Sequence, residues 1–580
     1  MTGDSITKNQ CMALAKQKNI RLEDLLLEKK LLSPEQLQTA LDTYKNTGKD
    51  FGRILIDDGY ISEETLQEVW ARHLNVDYVD LKHHSIKPEL VKLIPEGKAR
   101  RFRVIILDED AGGLILGMAD PTDIFAYDEI NAILRRPLKA VLVNEADLVK
   151  TFDTQYRHTA EISGFVAELQ NQIAASEKVS HLRPSAETSS DAPVVKLLQT
   201  ILEDAIQVNA SDVHIEPGQN ELVLRFRIDG VLRTQTTTDR SIANPLMSRL
   251  KLMAHLDIAE RRLPQDGRFN MVLHDKNIDV RVSTMPLETG EGAVLRLLNQ
   301  SAGILDLNQV GMPADILEKL RQVMRSPHGI VLVSGPTGSG KTTTLYAMLK
   351  ELNNPSVKII TAEDPVEYRL PGISQVQINP KVDLTFARVL RAVLRHDPDI
   401  VLIGEMRDAE TSQIALRAAM TGHFVLSTLH TNDAISTVLR LVDMEAEPYL
   451  IAGALRGILA QRLVRRVCTN CAAPHELDPN TRIVFEQELA AMEENVVFQK
   501  GTGCAYCNHT GYMGRIGVYE YLAITPELAE LLHQGDIAQF AKQAAQRAGY
   551  LNLKQSAFQL AAKGLTSVDE VMRLSFGMDD

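Results

Sequence analysis

The segment Gly335-Pro336-Thr337-Gly338-Ser339-Gly340-Lys341-Thr342 has the residue types and spacing of a phosphate-binding loop, and Thr343 closes the run. It follows the apolar stretch Gly329 to Val333 and precedes a helical stretch, so the loop is expected between a buried strand and a helix N-terminus. Its glycines let backbone N–H groups turn toward phosphate oxygens, and the helix end adds partial positive charge. Lys341 is expected to reach the β- and γ-phosphates, and Thr342 to offer its hydroxyl to Mg²⁺.

Hydrolysis of a bound phosphoryl group also needs a group that orients water and another that supports the metal. Glu363 ends the run Lys358 to Ala362, and Glu405 ends Ile400 to Gly404. Both are therefore expected at strand ends facing the crevice of the phosphate loop. Gly404 stands where many nucleotide hydrolases place a metal-binding aspartate, which points to Glu405 acting through a metal-bound water. Each glutamate taken alone could equally be a solvated strand-end residue. His430 ends the run Phe424 to Leu429, and two readings stand for it: a γ-phosphate sensor or a structural histidine. His423 carries a weaker signal.

Cys468-x-x-Cys471 and Cys504-x-x-Cys507 use four of the five cysteines. Two such pairs can build a tetrahedral thiolate site for a structural Zn²⁺. A redox dithiol is the alternative, and it leaves the second pair unexplained. Gly501, Gly503 and Gly511 suit a tight knuckle, while Cys11 stands apart as an incidental thiol.

The elements that must position these residues follow from periodicity. From about Leu305 onward, buried β-runs alternate with helices, the pattern of a parallel sheet with crossover helices. Upstream, Asp191 and Pro193 open a helix with Val194, Leu197, Leu198, Ile201, Leu202 and Ala205 at a 3.6-residue period, followed by strands such as Glu221 to Ile228 and Ile278 to Val282. The polar stretch Ala175 to Ser190 reads as a linker. Asp77 to Tyr156 reads as a small α/β unit, with β-runs at Val104 to Leu107, Gly113 to Met118 and Lys139 to Val143. The first 75 residues hold a duplication at an offset of 29, pairing Leu26 with Leu55, Leu32 with Ile61 and Leu37 with Leu66. Each copy reads as a helical hairpin. Ser33-Pro34-Glu35-Gln36 carries helix-start and capping-box signals, and Ser62-Glu63-Glu64 repeats the start.

The chain is 580 residues long, which at roughly 100 to 200 residues per domain favours several domains. Its formal charge of −13 gives no overall reason to seek nucleic acid or an anionic membrane. No apolar stretch reaches membrane-spanning length and the first ten residues are polar, so a cytoplasmic location is expected.

Beyond the phosphate loop, four blocks carry a family resemblance: Ala210 to Pro217, Thr361 to Glu367, Ile400 to Asp408, and Ser427-Thr428-Leu429-His430-Thr431-Asn432. With them, the chain resembles the ATPases that power type II secretion and type IV pilus assembly, over nearly its whole length. The resemblance implies an α/β protein: a RecA-like ATPase domain with a parallel-rich sheet over 303–580, a tetracysteine element at 465–520, a PAS-like α/β domain ahead of it, and a helical N-terminal module. The corresponding divisions are 1–75, 76–157, a linker at 158–190, and a second N-terminal domain at 191–302. It further implies a homo-hexamer that binds ATP and Mg²⁺ between this second N-terminal domain and the ATPase domain. Glu363 would be the general base, Glu405 the magnesium-associated glutamate and His430 the histidine-box residue, with Arg225 and Arg240 approaching the phosphates on domain closure. Arg225 and Arg227 also read as solvated charges alternating along a strand.

The tetracysteine element favours extension or secretion over retraction within the family. The N-terminal duplication resembles the cyclic di-GMP module of MSHA-type pilus ATPases, with Arg21, Leu22, Leu25, Phe51, Gly52, Ile54 and Gly59 in matching positions. Glu23 and Lys30 stand for glycines, and Asp50 for an arginine, where a carboxylate would repel a dianionic ligand. Ligand binding and simple docking both stand. The resemblance also implies an inner-membrane platform protein and accessory proteins as partners, no nucleic acid, and a cytoplasmic position reaching the membrane only through those partners. Type II secretion is the alternative within the family. A DNA or conjugation motor and a nucleotide-sensing adaptor are further classes, disfavoured by the acidic balance and by the intact Lys341, Thr342, Glu363 and Glu405.

Overall fold

The computed structural model describes residues 26, 31–33, 36–37, 39–40, 54–55, 60–61, 63–74, 76–81, 84, 86–110, 113–156, 191–273, 276–299, 303, 305–490 and 496–576. These form two compact units, the first ending at Asn209 and also taking in Cys504–His509, the second holding Ala210–Gly503 and the residues from Thr510 onward. The expected linker lies outside the described residues. No described helix is long and apolar enough to cross a membrane.

In the first unit the duplication is a structural repeat. Leu31 N–H donates to Leu26 O at 3.0 Å, and Tyr60 N–H donates to Leu55 O at 3.0 Å, the same bond 29 residues on. Leu26, Leu32, Ile54, Leu55, Ile61, Leu66 and Val69 share one small core. The Ser33 capping box is formed, with Gln36 N–H on Ser33 Oγ at 3.2 Å and Ser33 N–H on Gln36 Oε1 at 2.9 Å. The α/β part follows as a three-stranded sheet of β1 (Val104–Asp110), β2 (Gly113–Met118) and β3 (Leu138–Leu142), antiparallel then parallel. Asp123 and Asn144 cap the helices Ile124–Leu134 and Glu145–Gln155 that cover it. The expected amphipathic helix is Asp191–Gln207, with Leu197, Leu198, Ile201, Leu202 and Ala205 buried.

Among the described residues, the second unit holds two large sheets and a two-stranded ribbon. The first is antiparallel: β4 (Ala210–Pro217), β5 (Glu221–Ile228), β6 (Val231–Asp239), β7 (Gln265–Leu273), β8 (Lys276–Leu287) and β9 (Gly290–Asn299), in spatial order β6-β5-β4-β9-β8-β7. Apolar residues alternate along β4 and β5, with Val213, Ile215, Leu222, Leu224 and Phe226 buried, as a sheet with one packed face requires.

The second sheet contains β10 (Gly329–Ser334), β11 (Ile359–Glu363), β12 (Ser374–Gln377), β13 (Ile400–Ile403), β14 (Phe424–Leu429) and β15 (Leu455–Val467). A ribbon of β16 (Ala472–Pro474) and β17 (Gln499–Gly501) interrupts the path to β18 (Tyr512–Ala523). The sheet order is β12-β11-β13-β14-β10-β15-β18, parallel except for the β15–β18 pair. β10 and β14 are buried along their whole length, which is why they read as continuous apolar runs. The sheet is thus mixed, because a long antiparallel hairpin closes one edge of the expected parallel core. Helices from Pro526 to Phe576 pack on one face, and Phe485 of the segment between β16 and β17 stacks on Phe558 with centroids 4.8 Å apart.

Candidate functional site

The strand order lines up the chemistry. β11, β13, β14 and β10 are neighbours and parallel, so Glu363, Glu405, His430 and the phosphate loop all emerge at the same carboxyl edge. Two glycines of the loop are required by geometry. A Cβ on Gly335 would meet Gln461 O and Ser339 Oγ at 2.5 Å, and Gly340 precedes the helix Lys341–Leu352 with φ 88°. Gln461 on β15 is buried and braces the loop: its amide donates to Ser339 O at 2.8 Å and its carbonyl accepts from Thr344 Oγ1 at 2.9 Å.

Lys341 Nζ donates to the carbonyls of Gly335 at 2.6 Å and Pro336 at 3.0 Å. Burial, opposed by Glu405 and reinforced by Arg462, brings the amine down to about 8. A bound phosphate would favour the charged form. Ser339 Oγ is buried with no hydrogen-bond partner among the described residues. An orphaned hydroxyl, a loop of backbone N–H groups at a helix start and a desolvated amine fit a polyphosphate. Thr342 and Thr343 are exposed in the first turn beside them.

Glu363 is 4% exposed and is hydrogen-bonded through both carboxylate oxygens. Its Oε1 accepts from Thr361 Oγ1 at 2.5 Å and Gln375 Nε2 at 3.2 Å, and its Oε2 accepts from the Tyr346 hydroxyl. Glu405 pairs with Arg407 at 2.5 Å and lies 3.5 Å from His430 Nε2. Burial and then the Lys341 charge hold the His430 imidazole below its ordinary range, against the pull of Glu405. Lys341, Glu405, His430 and Arg407 therefore form one electrostatic cluster. His423 is held apart from it, with Nδ1 3.1 Å from Ala418 O.

Arg225 and Arg240 stand elsewhere. Arg225 is hydrogen-bonded to Glu216 on its own sheet, and Arg240 donates to the carbonyls of Gln219 at 2.9 Å and Thr289 at 2.7 Å. Arg227 donates to Gly230 O at 2.9 Å. None of the three touches the phosphate loop or either glutamate. Arg281 on β8 does reach the second sheet's part of the unit: it binds Glu367, in the loop that follows β11, at 2.5 and 3.4 Å. A cleft of 580 Å³ opens beside it, lined by Asp212, Asp266, Arg268, Arg281, Ser283, Arg296 and Pro365 among others. Reading the sequence missed Arg281, Arg407, Tyr346, Gln375 and Gln461. Arg407 lies within the stretch Ile400 to Asp408, but the other four carry no spacing signal, since they converge only through tertiary packing.

The four expected cysteine thiols come together, all Sγ atoms lying within 4.8 Å of one another. Cys504 and Cys507 Sγ are 3.7 Å apart, matching the edge of about 3.8 Å that four thiolates 2.3 Å from Zn²⁺ would have. Gly503 N–H points at Cys471 Sγ and Cys504 N–H at Cys507 Sγ, both at 3.3 Å, which suits thiolate acceptors. The donor set fits zinc. Cys11 lies outside the described residues, as do Arg21, Leu22, Leu25, Phe51, Gly52 and Gly59; Ile54 is buried in the repeat core.

The family model for "Type II/IV secretion system protein" matches residues 187–573, and that for "MshEN domain" matches residues 74–162, following the two repeats. The chain is 40% identical over 556 residues to the type IV pilus assembly ATPase PilB of Myxococcus xanthus, spanning 95% of this chain and 98% of that protein. It is 41% identical over 491 residues to the type II secretion system ATPase E of Vibrio cholerae, spanning 84% and 97%. Among solved structures, the ATPase DotB of Yersinia pseudotuberculosis matches with a TM-score of 0.51 at 22% identity, over 69% of this chain and 97% of that one, a likeness of fold.

Proposed function

The chain belongs to the type II/IV secretion system ATPase family, and from that premise we propose that it is the motor of type IV pilus assembly, extending a filament of the MSHA type. The observation that carries this reading is the pilus assembly ATPase relative, whose likeness runs through 95% of the chain. A type II secretion motor is the second reading, favoured by the comparable identity of the secretion relatives over 84% of the chain. Which platform protein co-purifies separates the two.

In this proposal the phosphate loop and Lys341 hold the ATP phosphates, Thr342 faces Mg²⁺, and Glu363 accepts a proton from the attacking water. Mg²⁺ supplies charge neutralisation on the phosphates. Glu405 supports the metal side, and His430, beside both Glu405 and Lys341, responds to the terminal phosphate. Arg225 and Arg240 would reach the phosphates only by leaving their present partners, so their role belongs to a closed state of the PAS-like domain within a rotating homo-hexamer. Glu363→Gln is expected to bind ATP and lose turnover, and Lys341→Ala to lose both; normal turnover in either overturns these roles.

The four thiolates hold a structural zinc, to be checked by metal analysis of the purified protein. Cyclic di-GMP regulates the motor through the N-terminal repeats; a calorimetric titration of the full chain without heat at high micromolar ligand would reduce them to a docking element. The protein acts in the cytoplasm against an inner-membrane platform protein and touches the membrane only through partners.

A further inference from the structure

Glu363 is held unevenly. Its Oε1 takes two donors, Thr361 and Gln375, whereas Oε2 takes one, the hydroxyl of Tyr346. A carboxylate oxygen has two lone-pair sites, so Oε2 keeps one that a water could use. Tyr346 is 2% exposed on the phosphate-loop helix, and its ring sits edge-on to Tyr368 with centroids 6.2 Å apart. Its hydroxyl also accepts the Glu367 N–H at 3.3 Å. Each side of the phenol oxygen is thus committed: the proton to Glu363, a lone pair to the backbone of residue 367. Burial first, and then the Glu363 carboxylate, push the phenol well above its ordinary range, so it stays a donor.

We propose that Tyr346 is a positioning residue for Glu363, and that it ties the orientation of that carboxylate to the Arg281–Glu367 pair. The reasoning rests on the reading of Glu363 as the base. Arg281 belongs to β8 of the antiparallel sheet and binds the Glu367 side chain through two nitrogens. Displacement of β8 pulls on Glu367, whose own N–H fixes the Tyr346 hydroxyl, whose proton fixes Oε2. The base then sits in one orientation while the pair is made and another when it is broken. Oriented catalysis is sensitive to displacements of this kind, because a reacting group about 1 Å out of place can cost about a hundredfold in rate.

The test is steady-state turnover of the full chain with Mg²⁺ and ATP. Tyr346→Phe keeps the ring and removes the hydroxyl; it is expected to lower kcat roughly tenfold, the worth of one hydrogen bond to a charged group, with KM for ATP nearly unchanged. Glu363→Gln is expected to be inactive, and the double variant no slower than Glu363→Gln alone. Should Tyr346→Phe melt early, Glu367→Gln reads the same connection from the other end and is expected to lower kcat by a smaller factor at constant KM. Wild-type kcat in a folded Tyr346→Phe, or a rise in KM matching the fall in kcat, overturns the role of Tyr346 while an inactive Glu363→Gln leaves the base in place. Normal turnover in Glu363→Gln is the separate failure of the base assignment.

Discussion

Gln461 shows how much a single residue outside every motif can contribute to a nucleotide site. It is one side chain on the neighbouring strand, yet both ends of its amide are spent on the phosphate loop and its helix. Truncation leaves the Ser339 carbonyl and the Thr344 hydroxyl without their buried partner, and each orphaned group costs about 1–3 kcal/mol. Gln461→Ala is therefore expected to weaken ATP binding about tenfold or more, since the loop loses its brace while Lys341 and Glu363 remain. Equilibrium binding of a non-hydrolysable analogue checks this, and unchanged affinity would remove Gln461 from the site. The loop motif itself was legible from residue types because its chemistry is local. Gln461 was not, since 120 positions separate Lys341 from it in the chain.

Among the elements, the helix that follows the histidine-bearing loop is fastened by a distant strand. Glu520 on β18 is 1% exposed; its carboxylate accepts the Ala434 N–H at 2.8 Å, the Leu553 N–H at 3.1 Å and the Tyr550 hydroxyl. One side chain thereby serves the N-termini of the helices Ala434–Asp443 and Leu553–Ala562. Glu520→Ala strands these donors and is expected to cost about 3–5 kcal/mol of stability, read as a lowered melting temperature. Burial holds this carboxyl above its ordinary range, against the hydrogen bonds that favour ionisation. A raised acid makes its ionised form a cost, fully present above the folded-state value and relieved as pH falls toward the unfolded one. The stability gap between the wild type and Glu520→Ala should accordingly widen between neutral pH and that unfolded value. The periodicity that revealed both helices says nothing of this tie, because a lone buried glutamate looks like a surface residue in sequence.

Across the second unit as a whole, Arg281 and Asp229 carry polar contacts from the antiparallel sheet and its turns to the mixed-sheet part. Arg281 grips Glu367, and Asp229 accepts the Gly514 N–H at 2.9 Å. The first pair is half-buried and bidentate, so a double-mutant cycle with Arg281→Ala and Glu367→Ala is expected to show coupling of about 1 kcal/mol. The companion cycle at Asp229 and Arg515, whose ionic contact is 3.9 Å, should show almost none. Thermal midpoints of the four proteins in each cycle measure this; additivity at Arg281 and Glu367 would mean that the pair does not hold the sheets together. The expectation of Arg225 and Arg240 as the arginines of this face came from a linear match; Arg225 is tied to Glu216 on the neighbouring strand, and Arg240 to the turns at Gln219 and Thr289.

The alternation of buried strands with helices, the phosphate loop, the two strand-end glutamates, the paired cysteines and the 29-residue repeat were all written in the linear sequence. Each depends on short-range spacing or on a run of apolar residues, which the backbone converts directly into a loop, a buried strand or a repeated turn. Tertiary structure alone decided the order of the strands, which side chains hold the Glu363 carboxylate, which arginine binds Glu367 and which glutamine braces the loop. Those contacts join residues many tens of positions apart, and hydrogen-bond reach of about 3 Å is satisfied only after the sheets have packed.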